Sequence, residues 1–200
     1  MTVSPAPLAD PLARVAWPLR TERLVVRRAT PDDVEAVWRF RQLPEVAEWI
    51  TAAPEDAEAF RAHFTEPDRL AVSLIVEREG AGVIGDVMLR IQDAWSQAEV
   101  SADAKAVQAV LGWTMDPAAQ GHGYATEAVR AVIAACFEQL GLRRVWAGCF
   151  AANEPSWRMM ERLGMRREEH SRATALHRSG EWMDGMAYGL LADEWRAAQG

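Results

Sequence analysis

The segment that most constrains the fold is a glycine-rich turn between a strand-like run and a long amphipathic run. The turn reads QGHGYATEA over Gln120–Ala128 and follows a β-rich run at residues 107–116. From Tyr124 onward, apolar residues recur at intervals of three and four, as one face of a helix requires. Such a turn directs several backbone N–H groups at one point, where the helix dipole adds about half a positive charge. The segment predicts either a site for a phosphate group or a tight turn without a ligand.

The spacing of the glycines excludes the two common nucleotide-binding fingerprints. Gly121 and Gly123 are followed by Ala125, so the third glycine of a dinucleotide-binding turn is missing. The Gly-Lys-Ser/Thr ending of a P-loop is also missing, and the turn has no lysine to contact a transferred phosphate. If a phosphate binds here, we expect it to be held and not transferred.

Composition indicates a single domain that does not bind polyanions. A chain of 200 residues, half of them hydrophobic, can bury one sizeable core. The net charge of −7 argues against a nucleic-acid or anionic-membrane surface and leaves room for a cationic substrate such as an amine. Cys136 and Cys149 lie in apolar runs without CxxC spacing, which is typical of inert core thiols in a reducing cytoplasm.

The first residues of the chain lack the features of a signal peptide. Residues 1–19 are rich in proline and alanine but have neither a basic start nor a sustained apolar run. We therefore expect a loose N-terminal tail followed by one domain over residues 20–196. No apolar run approaches the roughly 20 residues that span a bilayer, so we expect a cytoplasmic protein.

The order of predicted elements indicates an α/β domain with a mixed sheet. The predicted strands cover residues 23–29, 70–78, 83–91, 107–116, 144–150 and two arms of a C-terminal hairpin. The predicted helices begin at Thr30, Pro54, Tyr124 and Asn153. A polar connector over residues 92–106 joins the third and fourth strands.

Four segments together resemble the GNAT superfamily of N-acetyltransferases. Gln120-x-x-Gly123-x-Ala125 is similar to the family's Gln/Arg-x-x-Gly-x-Gly/Ala signature, and NEPSWRMMERLGM at residues 153–165 is similar to its later helix. TERLVVRRATPDD at residues 21–33 and EWMDGMAYGLLADEW at residues 181–195 resemble the ribosomal-protein N-terminal, or Rim-type, branch. The resemblance implies a single GNAT-type domain with a mixed, mostly antiparallel seven-stranded sheet. That sheet is splayed between its fourth and fifth strands and flanked by about four to five helices.

The resemblance also implies which residues hold acetyl-CoA, the expected co-substrate, without a metal ion. The pyrophosphate is expected at the glycine turn and the pantetheine arm between the splayed strands, where backbone groups bond its amides. Asn153 is expected as a helix cap, a pantetheine contact or both. The implied coenzyme-binding residues are Trp113, Thr114, Met115, Gln120, Gly121, His122, Gly123, Tyr124, Ala125, Thr126, Asn153 and Ser156.

The positions where many relatives carry catalytic residues hold other residue types in this chain. Where many relatives carry a tyrosine that protonates the thiolate, this chain has Met160, and Ser156 lies one helical turn earlier on the expected same face. Ser156 is therefore either the thiolate's donor or a helix-start residue that bonds local backbone. The expected base position is not acidic, which leaves Glu99 or Asp103 of the connector, or ordered water, to take the amine proton.

The implied activity is acetyl transfer to a primary amine, either a protein N-terminus or a small molecule such as a polyamine or aminoglycoside-like compound. The alternative is a module of the same fold that binds acyl-CoA without catalysis and acts as a sensor or partner-binding domain. We expect partners to be acyl-CoA and the amine, with neither nucleic acid nor membrane. A homodimer is compatible with this fold.

Overall fold

The computed structural model describes residues 10–53 and 55–199, and eight strands in this part of the chain form one sheet. The strands are β1 (Leu19–Arg20), β2 (Leu24–Arg28), β3 (Ser73–Arg78), β4 (Gly82–Gln92), β5 (Gln108–Met115), β6 (Arg144–Phe150), β7 (Arg166–Leu176) and β8 (Trp182–Leu191). Their spatial order is β1-β2-β3-β4-β5-β6-β8-β7. β5 and β6 pair in parallel, and the other neighbours pair antiparallel.

The helices vary greatly in length. They are α1 (Val34–Arg41), α2 (Pro44–Ala47), α3 (Ala57–Phe64), α4 (Pro67–Leu70), α5 (Tyr124–Glu138), α6 (Glu154–Arg162) and α7 (Ala192–Ala197). Short 3-10 segments lie at Pro31–Asp33, Ala98–Ala104 and Pro117–Ala119. None of the described helices has the length and apolar character needed to cross a bilayer.

Helices cover both faces of the sheet, and the alternation along β3 shows why. Leu74 and Val76 are fully buried in the cluster that includes the apolar face of α5. Ile75, between them, is fully buried in a second cluster with residues of α1 and α3. Because successive side chains of a strand point to opposite faces, the central strands separate two apolar layers.

The sheet opens between β5 and β6. The two strands pair only over Gln108–Val110 and Arg144–Trp146, although β5 continues to Met115 and β6 to Phe150. On their other edges they pair along their whole length, β5 with β4 and β6 with β8. Backbone groups on the facing edges are therefore left for something other than the neighbouring strand. The predicted fold class and the predicted splay are both confirmed.

Two parts of the described chain differ from the sequence-based expectation. The sheet has eight strands because Leu19 and Arg20 pair with β2, forming a two-residue strand at its edge. The expected loose tail over residues 1–19 is wrong for residues 10–19, since Leu12 and Val15 are buried in the main core. Trp17 and Leu19, which are partly buried, pack against the same core. The remainder of the expected tail lies outside the described residues.

Helix boundaries also shift. α3 begins at Ala57 because the side chain of Asp56 accepts a hydrogen bond of 2.8 Å from the backbone N–H of Ala59 and caps the helix. Pro54, the expected start, lies outside the described residues. The described residues contain seven α-helical segments, more than the four to five expected, because α2 and α4 are single turns that each begin at a proline.

Candidate active site

A cavity of about 1010 Å³ extends from the glycine turn, through the gap between β5 and β6, to helices α1–α4. We call the end formed by the glycine turn, β5, β6 and α6 the turn half, and the end formed by α1–α4 and the adjoining side chains of β3 and β4 the helical half. Most of the predicted coenzyme-binding residues line the cavity: Trp113, Thr114, Met115, Gln120, Gly121, Gly123, Tyr124, Ala125, Thr126, Asn153 and Ser156.

The glycine turn presents backbone to the cavity. Gly121 and Gly123 have φ angles of 78° and 80°, which an L residue adopts only with strain. Gly123 is the N-cap of α5, a helix of 15 residues, so the helix N-terminus and its free N–H groups open directly beside the turn. His122 is the exception: it is exposed and is not among the cavity-lining residues. Its Nδ1 lies 2.7 Å from the carbonyl oxygen of Gln120.

Two side chains that sequence reasoning missed hold this turn in place. Arg23 donates a hydrogen bond of 2.7 Å to Glu127 and another of 3.1 Å to the carbonyl of His122. Its guanidinium also lies 4.7 Å from the ring centre of Tyr124. Burial alone would raise the pKa of Glu127, but hydrogen bonds from Thr21 and Arg23 outweigh it and lower that pKa. The turn is therefore fixed to the start of β2.

The last residues of β5 form the floor of the cavity. Thr114 and Met115 are buried, and Met115 lies opposite Gly85 of β4. A Cβ atom at Gly85 would lie 2.5 Å from Met115 Sδ and 2.6 Å from the Thr114 carbonyl oxygen. Only glycine therefore allows β4 and β5 to approach closely enough to shape this floor.

A largely buried ion pair, with 20% of the Arg41 side chain and 8% of the Asp86 side chain exposed, lies where the two halves meet. Arg41 of α1 donates hydrogen bonds of 2.8 and 2.5 Å to the two carboxylate oxygens of Asp86 and contacts Thr114 Oγ1 at 3.3 Å. Burial opposes the charge of the guanidinium, but the Asp86 carboxylate outweighs burial and raises the pKa of Arg41. All three residues line the cavity. The sequence did not reveal the pair because its partners are 45 residues apart.

The helical half is lined mainly by apolar side chains with a few charged ones. Its apolar lining is Val46, Trp49, Ile50, Phe60, Phe64 and Met88. Besides Arg41 and Asp86, the charged residues on this side are Glu45 and Arg69. His63 also lines this half, and its Nε2 is buried without a hydrogen-bond partner among the described residues.

Ser156 and Asn153 both lie in the turn half. The Asn153 side chain caps α6 by accepting a hydrogen bond of 3.4 Å from the backbone N–H of Ser156. This leaves the Ser156 hydroxyl free of the cap, and it lies within hydrogen-bonding reach of the Cys149 thiol. Burial raises the pKa of that thiol despite the hydrogen bond.

The expected common face of Ser156 and Met160 is wrong. Met160 is fully buried in the core, whereas Met159 lines the cavity with Ser156. A spacing of three, not four, selects the cavity-facing stripe of α6, since α6 packs its other face against β6, β7 and β8.

The expectation that Glu99 or Asp103 reaches the site is also wrong. Both are exposed on the 3-10 segment Ala98–Ala104, and neither is among the cavity-lining residues. The segment precedes β5, whereas the glycine turn follows it. Eight strand residues separate the two ends by roughly 25 Å at about 3.3 Å per residue. The connector lies at the end where β5 and β6 are still paired.

Comparison with known proteins fits this geometry. Residues 23–166 match the acetyltransferase (GNAT) domain. A protein named uncharacterized N-acetyltransferase YnaD, from Bacillus subtilis, is 28% identical over 180 residues, which cover 88% of this chain and 98% of that protein.

Solved structures share the fold over most of their length. An acetyltransferase (GNAT family) from Bacillus anthracis superposes with a TM-score of 0.74 at 28% identity, covering 88% of this chain and 98% of that one. RimJ of Mycobacterium smegmatis, in complex with CoA-disulfide, has a TM-score of 0.67 at 18% identity and covers 88% and 89%, a likeness of fold alone. Because the domain match spans well over half of the sequence, this chain belongs to the GNAT acetyltransferase family.

Proposed function

We propose that the protein transfers an acetyl group from acetyl-CoA to a primary amine by direct attack of the amine on the thioester. The observation that carries the proposal is the divergence of β5 and β6 beyond Val110 and Trp146, which opens a backbone-lined gap leading from the glycine turn. A linear arm with amide groups fits such a gap, because it can bond backbone groups that no strand bonds. Assignment to the Rim-type branch belongs to this proposal and rests on the sequence resemblance.

The residues of the turn half suit the diphosphate and the pantetheine arm. Backbone N–H groups at Gly121 and Gly123 and the N-terminus of α5 suit an anionic phosphate. The backbone of residues 113–115 lines the floor and suits the arm and the thioester carbonyl. Acetyl-CoA supplies an activated acetyl group, and the rest of the chemistry concerns two protons.

One proton must leave the attacking amine, and Glu45 is our candidate to accept it. Among the described residues that line the cavity, the acidic ones are Glu45 and Asp86. Both oxygens of Asp86 are bound by Arg41, whereas the Glu45 carboxylate has no ion pair or hydrogen bond with another described residue. It is therefore the carboxylate that is free to act, directly or through one water.

The other proton goes to the departing thiolate. Ser156 places a hydroxyl on the cavity wall close to the neighbouring thiol of Cys149. In the proposed reaction the amine nitrogen bonds to the acetyl carbon and the carbon–sulfur bond breaks. Ser156 donates a hydrogen bond to the sulfur as charge develops on it.

The test measures release of free thiol from acetyl-CoA in the presence of a panel of primary amines. The panel contains peptide N-termini, a polyamine, an aminoglycoside and apolar amino acids. Amine-dependent thiol release with a matching acetylated product supports the proposal. Tight acetyl-CoA binding without transfer to any of these amines would favour a non-catalytic acyl-CoA-binding module.

A paired variant tests the proton acceptor. Glu45→Gln should lower kcat/KM by roughly 10²-fold, because the amine then loses its base. Glu48→Gln is the matched control: Glu48 lies three residues later, is exposed and does not line the cavity. Equal rates in the two variants would leave ordered water as the proton's route.

A further inference from the structure

The helical half of the cavity holds two charged side chains that form no ion pair with another described residue. Arg41 and Asp86 bind each other, but Arg69 and Glu45 make no ion pair or side-chain hydrogen bond with another described residue. Arg69 is half-buried on α4, and Glu45 is exposed on α2. One positive and one negative side chain therefore line the same cavity without an ion-pair partner among the described residues.

The surroundings of Arg69 favour an anion. Burial and the positive charges of Arg41 and Arg90 lower the pKa of Arg69, and they outweigh the carboxylates of Glu66 and Asp86, which raise it. The charged guanidinium of Arg69 is repelled by the neighbouring positive charges, and a bound anion would offset that repulsion. The guanidinium fork matches a carboxylate with two parallel hydrogen bonds.

The rest of this half is apolar. Phe60 and Phe64 lie one turn apart on α3 and are both buried, and Trp49 lines the same space. A ligand that bonds Arg69 and approaches the thioester must also contact these aromatic rings. An apolar substituent on the ligand would bury surface there, at about 25 cal/mol per Å².

From these three observations we infer that the acceptor is a small zwitterionic amine of the amino-acid type: its carboxylate binds Arg69, its apolar side chain packs on the aromatic wall, and its amine lies near Glu45. A polyamine fits less well, because it offers no anion to Arg69. To call this ligand the acceptor assumes the proposed acetyl transfer. The anion site at Arg69 does not, and binding measurements alone can test it.

The probes are three apolar amino acids, leucine, methionine and phenylalanine, each with its carboxamide, and isopentylamine as leucine without its carboxylate. Binding is measured by calorimetry on protein saturated with coenzyme A, and turnover by thiol release. At least one amino acid should bind tenfold or more tightly than its amide and react with a higher kcat/KM. The amide's amine is the less basic of the two, so intrinsic reactivity favours the amide and does not produce this preference.

Variants of Arg69 locate the recognition. Arg69→Gln should weaken binding of the preferred amino acid by tenfold or more and change binding of its amide by less than twofold. Arg69→Lys should restore part of the preference, since it keeps the charge but not the fork. Arg90→Gln is the matched control, because it removes the same charge from an exposed neighbour that does not line the cavity, and it should keep the preference. An unchanged melting temperature shift with coenzyme A shows that each variant is folded.

The outcomes separate the two proposals. Equal binding of all three amino acids and their amides, no binding of any amino acid, or an unaltered preference in Arg69→Gln would overturn the anion site. Preferential binding of an amino acid without thiol release would support the site and contradict the acetyl transfer. Thiol release with a polyamine or a peptide, without preference for an amino acid, would support the transfer and overturn the inference.

Discussion

The turn half of the cavity is built mainly from backbone, whereas the helical half is built from side chains that come from separate segments. Gly121, Gly123 and residues 113–115 present N–H and C=O groups whose positions follow from the local chain path. Arg41, Asp86 and Arg69 instead meet through the packing of α1, α4 and β4. The first kind of site tolerates many side chains, and the second depends on a few individual ones. Substitutions should therefore act differently in the two halves.

The largest effect is expected from breaking the ion pair of the helical half. Asp86→Asn leaves the largely buried Arg41 guanidinium without its carboxylate, so the free energy of unfolding should fall by about 3 kcal/mol. Urea denaturation measures this loss. Asp193→Asn removes a carboxylate whose pair with Arg196 is exposed, and it should change stability by less than about 0.5 kcal/mol. Similar losses in the two variants would show that burial does not distinguish the pairs.

In the turn half, the corresponding experiment replaces a glycine whose backbone conformation shapes the turn. Acetyl-CoA at a hundredfold excess over its Kd should stabilise the native protein by about 2.7 kcal/mol, roughly 5 to 10 °C in Tm. Gly123→Val should remove most of this shift, because a side chain there occupies the space for a phosphate and strains the turn. Gly141→Val is the control: it has a φ of 69° just beyond the other end of α5, with no atom near its absent Cβ. An undiminished Tm shift in Gly123→Val would show that the phosphate does not bind at this turn.

A smaller effect is expected from a side chain of the turn half. Ser156→Ala should lower kcat by about tenfold, which corresponds to about 1.4 kcal/mol, if its hydroxyl stabilises the thiolate. Stability should change little, because the Asn153 cap bonds the backbone N–H of Ser156, which alanine retains. Ser101→Ala, exposed on the 3-10 segment before β5, serves as the control. Full activity of a folded Ser156→Ala protein would remove the hydroxyl from the mechanism.

The smallest effect is expected from the ion pair between Arg23 and Glu127 that holds the glycine turn. The pKa of Glu127 is lower in the folded state than its usual value of roughly 4.3. The ionised carboxylate therefore stabilises the folded protein fully at pH values above roughly 4.3, and this stabilisation is lost as the pH falls through the folded-state pKa. Glu127→Gln should reduce the free energy of unfolding by about 1 kcal/mol or less at pH 7, since Arg23 is partly exposed. The difference from the native protein should shrink below pH 4.3. Glu138→Gln, exposed at the end of the same helix, is the control variant.

What the sequence predicted follows the same division. Gln120 to Thr126 form one contiguous stretch, so turn chemistry and helix periodicity located them without knowledge of the fold. Arg41, Glu45 and Arg69 carry no local pattern, because only the packing of α1, α2 and α4 over the sheet brings them together. Glu99 and Asp103 failed for a related reason: their distance in sequence from β5 is short, but the strand carries the chain to the other end of the sheet.

The N-terminal segment shows the same dependence on distant packing. Residues 1–19 look like a tail because Leu12 and Val15 are isolated apolar residues among proline and alanine. Their burial depends on a core assembled mainly from residues later in the chain. The backbone N–H of Ala16, for instance, donates a hydrogen bond of 2.8 Å to the side chain of Gln139.

The divergence of β5 and β6 also has a dynamic consequence. Where strands pair on both sides, amide hydrogens exchange with solvent only when the sheet opens, but amides on the facing edges of residues 111–115 and 147–150 have no neighbouring strand to protect them. A ligand arm that bonds these edges takes the place of a strand. Hydrogen exchange should then slow along both edges when coenzyme A binds, while the paired stretch at residues 108–110 changes little.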